Sequence, residues 1–164
     1  MKKYNKVFVG GTFDRLHKGH KHLIKKAFQL SEKVVILIAD DKYARGKARG
    51  VKSRKIREKH LRKWLSDESL LKRTTIVTPD DWYGPSIIDY DLEATITTPD
   101  YRPKYEEVND IRRKRRLKQL KIITVEKMLA ENGKPISSTR IRAGEINAEG
   151  KIPKCQKGEN RLRI

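Results

Sequence analysis

The hydrophobic positions along the chain follow two alternating rhythms. Val7-Phe8-Val9 is a short apolar run that stops at Gly10-Gly11. Leu23, Ile24, Ala27 and Phe28 then recur at helical spacing, which predicts a helix over about residues 18–31. Val34-Val35-Ile36-Leu37-Ile38 is unbroken, the pattern of a central strand buried on both faces. A long basic helix is predicted from about Ser53, with Ile56, Leu61, Trp64 and Leu65 on its inner stripe. Residues 74–77 and 94–97 read as strands; Pro79, Gly84 and Pro85 punctuate the loop between them, and Ile87-Ile88 opens a short helix. Tyr105, Val108 and Ile111 form an apolar stripe on a helix that carries Arg112-Arg113-Lys114-Arg115-Arg116 on its other side. Residues 121–125 read as a fifth strand, and Ser137 or Ser138 caps a short helix through Arg142 and Ala143. Strands alternating with helices predict an α/β chain with a central parallel sheet flanked by helices. Beyond Gly144 the pattern dissolves. The predicted organisation is one domain over 1–147 and a loosely attached basic tail over 148–164.

Composition narrows the class. The chain has 164 residues, of which 36% are hydrophobic, enough for one core. No stretch approaches the roughly 18 to 20 apolar residues of a membrane span. Met1-Lys2-Lys3-Tyr4 runs into a short strand rather than into a signal-peptide core. The single cysteine, Cys155, makes neither an internal disulfide nor a Cys-rich zinc site, and it is given no role. A cytoplasmic domain is expected.

Charge adds a requirement without naming a partner. Forty Lys and Arg against 21 Asp and Glu give a net charge of +19. Such a domain repels itself, which favours a monomer and a bound anion. Residues 42–63 hold eleven Lys or Arg and one acid, Glu58. That run and the run at 112–116 fit solvated helix faces, and they equally fit sequence-independent nucleic-acid binding. No zinc-finger, RRM or KH pattern accompanies them.

The segment that carries chemistry is Gly10-Gly11-Thr12-Phe13-Asp14-Arg15-Leu16-His17-Lys18-Gly19-His20, between the first strand and the first helix. In a parallel sheet that turn opens at the carboxyl ends of the strands, where ligands bind. Gly10 and Gly11 admit close approach of a ligand to the backbone. His17 and His20 face one space, and the unpaired N–H groups of the helix start favour phosphate. Neither the G-x-x-x-x-G-K-[ST] nor the G-x-G-x-x-G pattern is present. Zinc on His17 and His20 lacks a third ligand nearby, so no protein-held metal is expected.

This segment resembles the T-F-D-x-x-H-x-G-H signature of the HxGH nucleotidylyltransferases, in the form kept by archaeal and eukaryotic phosphopantetheine adenylyltransferases. Ile136-Ser137-Ser138-Thr139-Arg140-Ile141-Arg142 is similar to that family's I-S-S-[ST]-x-[IL]-R motif. Val108-Asn109-Asp110-Ile111-Arg112-Arg113-Lys114-Arg115 is similar to the V-N-[ED]-I-R-[RK]-x-R segment of its archaeal branch. The three lie in family order within residues 6–145.

The resemblance implies a Rossmann-like nucleotide-binding fold and transfer of AMP from ATP to 4′-phosphopantetheine, giving dephospho-coenzyme A and pyrophosphate. Mg2+ would accompany the ATP. By the same resemblance, Thr12 bridges the attacking phosphate and the ATP α-phosphate, His20 stabilises the transition state, and His17 binds the β- or γ-phosphate. Gly10, Gly11 and Phe13 join them on the ATP side. Ser137, Ser138 and Thr139 hold phosphates, with Arg142 nearby. Arg45 and Lys47 stand where the family keeps a lysine for the acceptor phosphate. Only Arg102 offers a counterpart to the arginine-rich motif of the bacterial branch.

Plainer roles stand beside these. Asp14 would fix the turn by bonding loop amides, Phe13 would pack, and the Ser-Ser-Thr cluster would cap a helix. His22 and His60 read as surface or packing residues. Asp40 and Asp41 would meet ligand or magnesium, or cap a helix. Trp82 and Tyr83 are candidates for the pantetheine pocket. Flavin adenylyltransferases and cytidylyltransferases share the histidine signature, so the acceptor stays open between these classes, and a basic nucleic-acid module on the same fold is the reading outside enzymology.

Overall fold

The computed structural model describes residues 1–154; the side chain of Lys47 lies outside that description, as do Cys155 and the residues after it. The strands are β1 (Tyr4–Gly11), β2 (Ser31–Ile38), β3 (Thr74–Val77), β4 (Ala94–Thr97) and β5 (Lys121–Thr124). The helices are α1 (Lys18–Leu30), α2 (Asp41–Lys47), α3 (Arg54–Asp67), α4 (Arg102–Lys114) and α5 (Ser138–Arg142). All strand pairs are parallel, and the sheet order is β3-β2-β1-β4-β5. The chain therefore winds outward from β1 to β3, then crosses back to lay β4 on the other side of β1. In such a sheet the crevice at the carboxyl ends beside β1 is the ligand position.

Alternation in β1 decides which helices cover which face. Val7 and Val9 pack with Val34, Ile36 and Ile38 of β2 against Ile24, Ala27 and Phe28 of α1 and Leu61, Trp64 and Leu65 of α3. Phe8 points the other way, with Val35 and Leu37, onto Tyr105 and Val108 of α4. From Val34 to Ile38 β2 is covered on both sides, which is why that stretch is an unbroken apolar run. Helix α1 passes into β2 without a loop. The Ser31 N–H and hydroxyl (2.8 Å) both donate to Ala27 O, closing the last turn as the chain changes direction.

Three expectations need correction. Helix α2 has no counterpart among the predicted elements beyond a cap at Asp40 or Asp41: it has no apolar stripe, and Asp40 starts it by accepting from Tyr43 N (2.6 Å). On α3 the inner stripe holds Arg57 rather than Ile56, which is 43% exposed. Arg57 is 1% exposed because its guanidinium finds four oxygens, described below. On α4 the basic run is not confined to the outer side. Arg112 is fully buried and donates to Lys118 O (2.7 Å), Ser86 O (2.7 Å) and Asp89 O (2.9 Å). One residue from each basic run thus serves the interior, where a guanidinium paired with carbonyls is tolerated.

Ala148 O accepts from Lys18 N, Gly150 O from Glu131 N, and Lys151 O from Asn147 N, each at 2.9 Å. The first residues assigned to the tail are therefore bonded into the domain. Among the described residues, no helix is long and apolar enough to cross a membrane.

Candidate active site

A cavity of about 320 Å³ lies at the carboxyl ends of the strands. Gly10, Gly11, Thr12, Phe13, His17, His20, Ser137, Ser138, Thr139 and Arg142, the residues expected on the ATP side, all line it. Arg45 and Arg102 do not: both are exposed, and Arg102 Nε pairs with Glu106 (3.1 Å) along α4. Lys47 ends α2, and its side chain is outside the described atoms.

The β1–α1 turn is a strained piece of backbone held from below. Phe13 (φ 53°) and Arg15 (φ 49°) both adopt the left-handed conformation, which costs of order 1–3 kcal/mol for a residue with a side chain. Phe13 is held there because its ring is in the core, 2% exposed. That ring also explains Gly11: a Cβ there would meet it at 2.9 Å. From α3, Arg57 reaches under the turn and donates to Thr12 O (2.6 Å), Ala39 O (2.9 Å), Lys52 O (2.9 Å) and Asp41 Oδ1 (2.9 Å). It ties the turn to the end of β2 and to the α2–α3 connection.

His17 caps α1. Its Nδ1 accepts from Gly19 N (3.1 Å) and His20 N (3.4 Å), while His20 Nδ1 accepts from His17 N (3.4 Å). Lys18 N is taken by Ala148 O (2.9 Å). The expectation of unpaired first-turn amides is thus corrected: the two imidazoles and the 148 carbonyl occupy them. What the turn offers an anion is the imidazoles themselves. A ring that accepts at Nδ1 in the neutral form carries its proton at Nε2, so each histidine has one N–H donor to present. The rings stack with centroids 3.7 Å apart, and His20 meets the edge of Phe13 at 5.3 Å. Burial lowers His17 to about 4, and burial together with His17 holds His20 well below its usual value. Both are neutral donors at pH 7, and a Cβ on Gly19 would press the His17 ring at 3.0 Å.

Facing them is the start of α5. Ser137 Oγ accepts from Arg140 N (3.3 Å), the helix cap expected of it. The Ser138 hydroxyl donates to Asp14 O, and Thr139 Oγ1 accepts from Arg142 Nη2 (3.2 Å). Ser137 and Thr139 keep their own O–H for a ligand, whereas that of Ser138 is spent on the opposite wall.

Asp14 bonds a loop amide as expected: it is 1% exposed, and its Oδ1 accepts from Lys52 N (3.0 Å). It also pairs with Arg142 (2.6 Å), which the sequence does not reveal. Asp40 caps α2, and Asp41 accepts from Arg54 N (2.6 Å) and Arg57. His22 is an exposed residue at the cavity edge, and His60 lies on the exposed side of α3.

The remaining wall is aromatic. Trp82 and Tyr101 line the cavity and stack at 6.0 Å, and Tyr43 of α2 stacks on Trp82 at 5.3 Å. Tyr83 instead packs beside the α4 core and donates to Glu107. Lys127, which no sequence motif marks, lines the cavity after β5 and pairs with Asp100. Lys127 and Arg142 are the two Lys or Arg among the described lining residues.

Two polar helix starts, one carrying neutral imidazole donors, share a cavity at the switch point of a parallel sheet, the arrangement of a nucleotide-binding α/β protein. The chain belongs to the cytidylyltransferase-like family, whose model matches residues 8–144. It is 41% identical over 162 residues to the phosphopantetheine adenylyltransferase of Methanothermobacter thermautotrophicus, covering 99% of this chain and 98% of that one. Against the protein of the same name from Methanosarcina mazei it is 41% identical over 152 residues, 91% and 97% of the two chains. Among solved structures, a protein of unknown function from Archaeoglobus fulgidus superposes with a TM-score of 0.66 at 29% identity, over 73% of this chain and 88% of that one.

Proposed function

We propose that this chain transfers the adenylyl group of ATP to 4′-phosphopantetheine, giving dephospho-coenzyme A and pyrophosphate, in the cytoplasm. The observation that carries this reading is the pair of neutral, helix-capping histidines on one cavity with Ser137, Thr139 and Arg142. The relatives named phosphopantetheine adenylyltransferase, alike over nearly their whole length, support the acceptor.

The chemistry needs no base. A phosphate monoester has a second pKa of about 6 and is already an anionic nucleophile at neutral pH. One of its oxygens forms a bond to the α-phosphorus while the bond to the bridging α–β oxygen breaks, and pyrophosphate leaves with that electron pair. The protein aligns the reactants and stabilises charge on the α-phosphoryl oxygens. Nε2–H of His20 and the Thr12 hydroxyl are the donors assigned to that centre; His17, Ser137, Thr139 and Arg142 are assigned to the leaving phosphates. Because the imidazoles enter neutral, they add donors without neutralising the nucleophile. Among the described residues no three His, Cys, Asp or Glu side chains converge to hold a metal, and the carboxylate of Asp14 is already paired. Magnesium enters with ATP, as part of the MgATP substrate.

The acceptor's uncharged, amide-bearing arm fits the wall of Trp82, Tyr101 and Ala44 better than a second polyanion would. Lys127 is the cation assigned to the acceptor side.

The test is incubation with MgATP and 4′-phosphopantetheine, measuring pyrophosphate and dephospho-coenzyme A, with His20→Ala beside it. Turnover that falls about a hundredfold or more in the variant supports both reaction and residue. Turnover of flavin mononucleotide or glycerol phosphate instead refutes the acceptor.

A further inference from the structure

Asp14 is an unusual group to find beside a site for polyanions. It is a carboxylate, 1% exposed, and it lines the same cavity as Arg142. Its Oδ2 lies 2.6 Å from Arg142 Nη1 and 3.9 Å from Arg15 Nε. Its Oδ1 accepts from Lys52 N (3.0 Å), and its carbonyl accepts from the Ser138 hydroxyl. The same Lys52 is held at its carbonyl by Arg57 (2.9 Å), which also holds Thr12 O. Three cavity walls, the β1–α1 turn, the α2–α3 connection and α5, therefore meet at this one residue.

We infer that Asp14 is the positioning residue of the triphosphate site, latching Arg142 of α5 to the β1–α1 turn so that both phosphate-binding elements keep one fixed spacing. The inference rests on the reading that the cavity takes a nucleoside triphosphate, and it goes beyond that reading by giving Asp14 a role that acts through Arg142. Arg142 has five N–H donors, and Asp14 and Thr139 take one each. With one edge of the fork fixed, its remaining donors are pre-oriented toward the cavity. A buried carboxylate is tolerated only when paired, so the latch is closed before any ligand arrives.

Simple electrostatics and positioning predict opposite signs. If Asp14 acted only as a nearby negative charge, Asp14→Asn would tighten MgATP binding. As a latch, the same change loosens Arg142 and weakens it. Titration calorimetry of MgATP on the full chain reads this directly and needs no acceptor, so an error about the acceptor leaves the test intact. Binding of MgATP by the unaltered chain checks the underlying reading.

Asp14→Asn and Arg142→Gln are each expected to raise Kd about tenfold, and the double variant to stay within about twofold of the weaker single one. Multiplying losses, or an Asp14→Asn protein that binds as tightly as the parent, would overturn the inference. If Asp14→Asn does not fold, Arg142→Lys decides. It keeps the charge and loses the fork, so binding within about twofold of the parent would refute a role based on orientation.

Discussion

The stacked histidines make a prediction about stability that can be worked from the structure. His17 is 5% exposed, and burial lowers it to about 4 from 6.5. Between those two pH values the unfolded chain binds more protons than the folded one. The sign follows: the stability linked to His17 is complete above about pH 6.5 and is lost as the pH falls toward 4. By about pH 4.5 the loss amounts to about 2.5 kcal/mol relative to neutral pH, a large share of the 5–15 kcal/mol of a typical domain. His20 is also lowered, so its contribution has the same sign. The informative variant is His17→Asn, because an asparagine oxygen replaces Nδ1 as helix cap while removing the titration. Urea denaturation from about pH 7.5 to about pH 4.5 should show a fall in the variant smaller than that of the parent by about 2 kcal/mol. Equal falls in the two proteins would show that the imidazole is not buried neutral, and the account of it as an uncharged donor would go with it.

Arg57 and Trp82 carry the remaining predictions. Arg57→Met leaves the carbonyls of Thr12, Ala39 and Lys52 without their donor, which should cost about 3–5 kcal/mol in urea denaturation. On the same helix, exposed Lys59→Ala should change stability by less than about 0.5 kcal/mol; similar losses in both would refute the assignment of Arg57 to the core. Trp82→Ala should raise KM for 4′-phosphopantetheine about tenfold while the Kd of MgATP stays within about twofold. An increase on the ATP side instead would move the aromatic wall to the nucleotide.

Much of the site is legible along the chain because its chemistry is local. Gly10 to His20 and Ile136 to Arg142 each place their polar groups within one turn of backbone, and the cavity gathers both. The strands were equally legible, since β2 is covered on both faces and every residue of Val34-Val35-Ile36-Leu37-Ile38 must be apolar. Helix α2 was not, because among its described side chains only Ala44 is buried, which leaves no periodicity to read.

What tertiary structure alone decided is where the charges went. Arg57 and Arg112 look like any other member of two basic runs, yet both are buried, because carbonyls from distant segments converge on them. The first-turn amides of α1 are open to phosphate by sequence and closed in the fold, once the imidazoles turn back and Ala148 arrives. Asp14 and Arg142 stand 128 positions apart, and no local pattern pairs them. The sequence by itself determined the five strands, the longer helices and the two polar segments that line the cavity, because spacing and side-chain type act over a few residues. Which cations serve the interior, and which donors remain for a ligand, depends on desolvation and on partners that only the folded chain brings within reach.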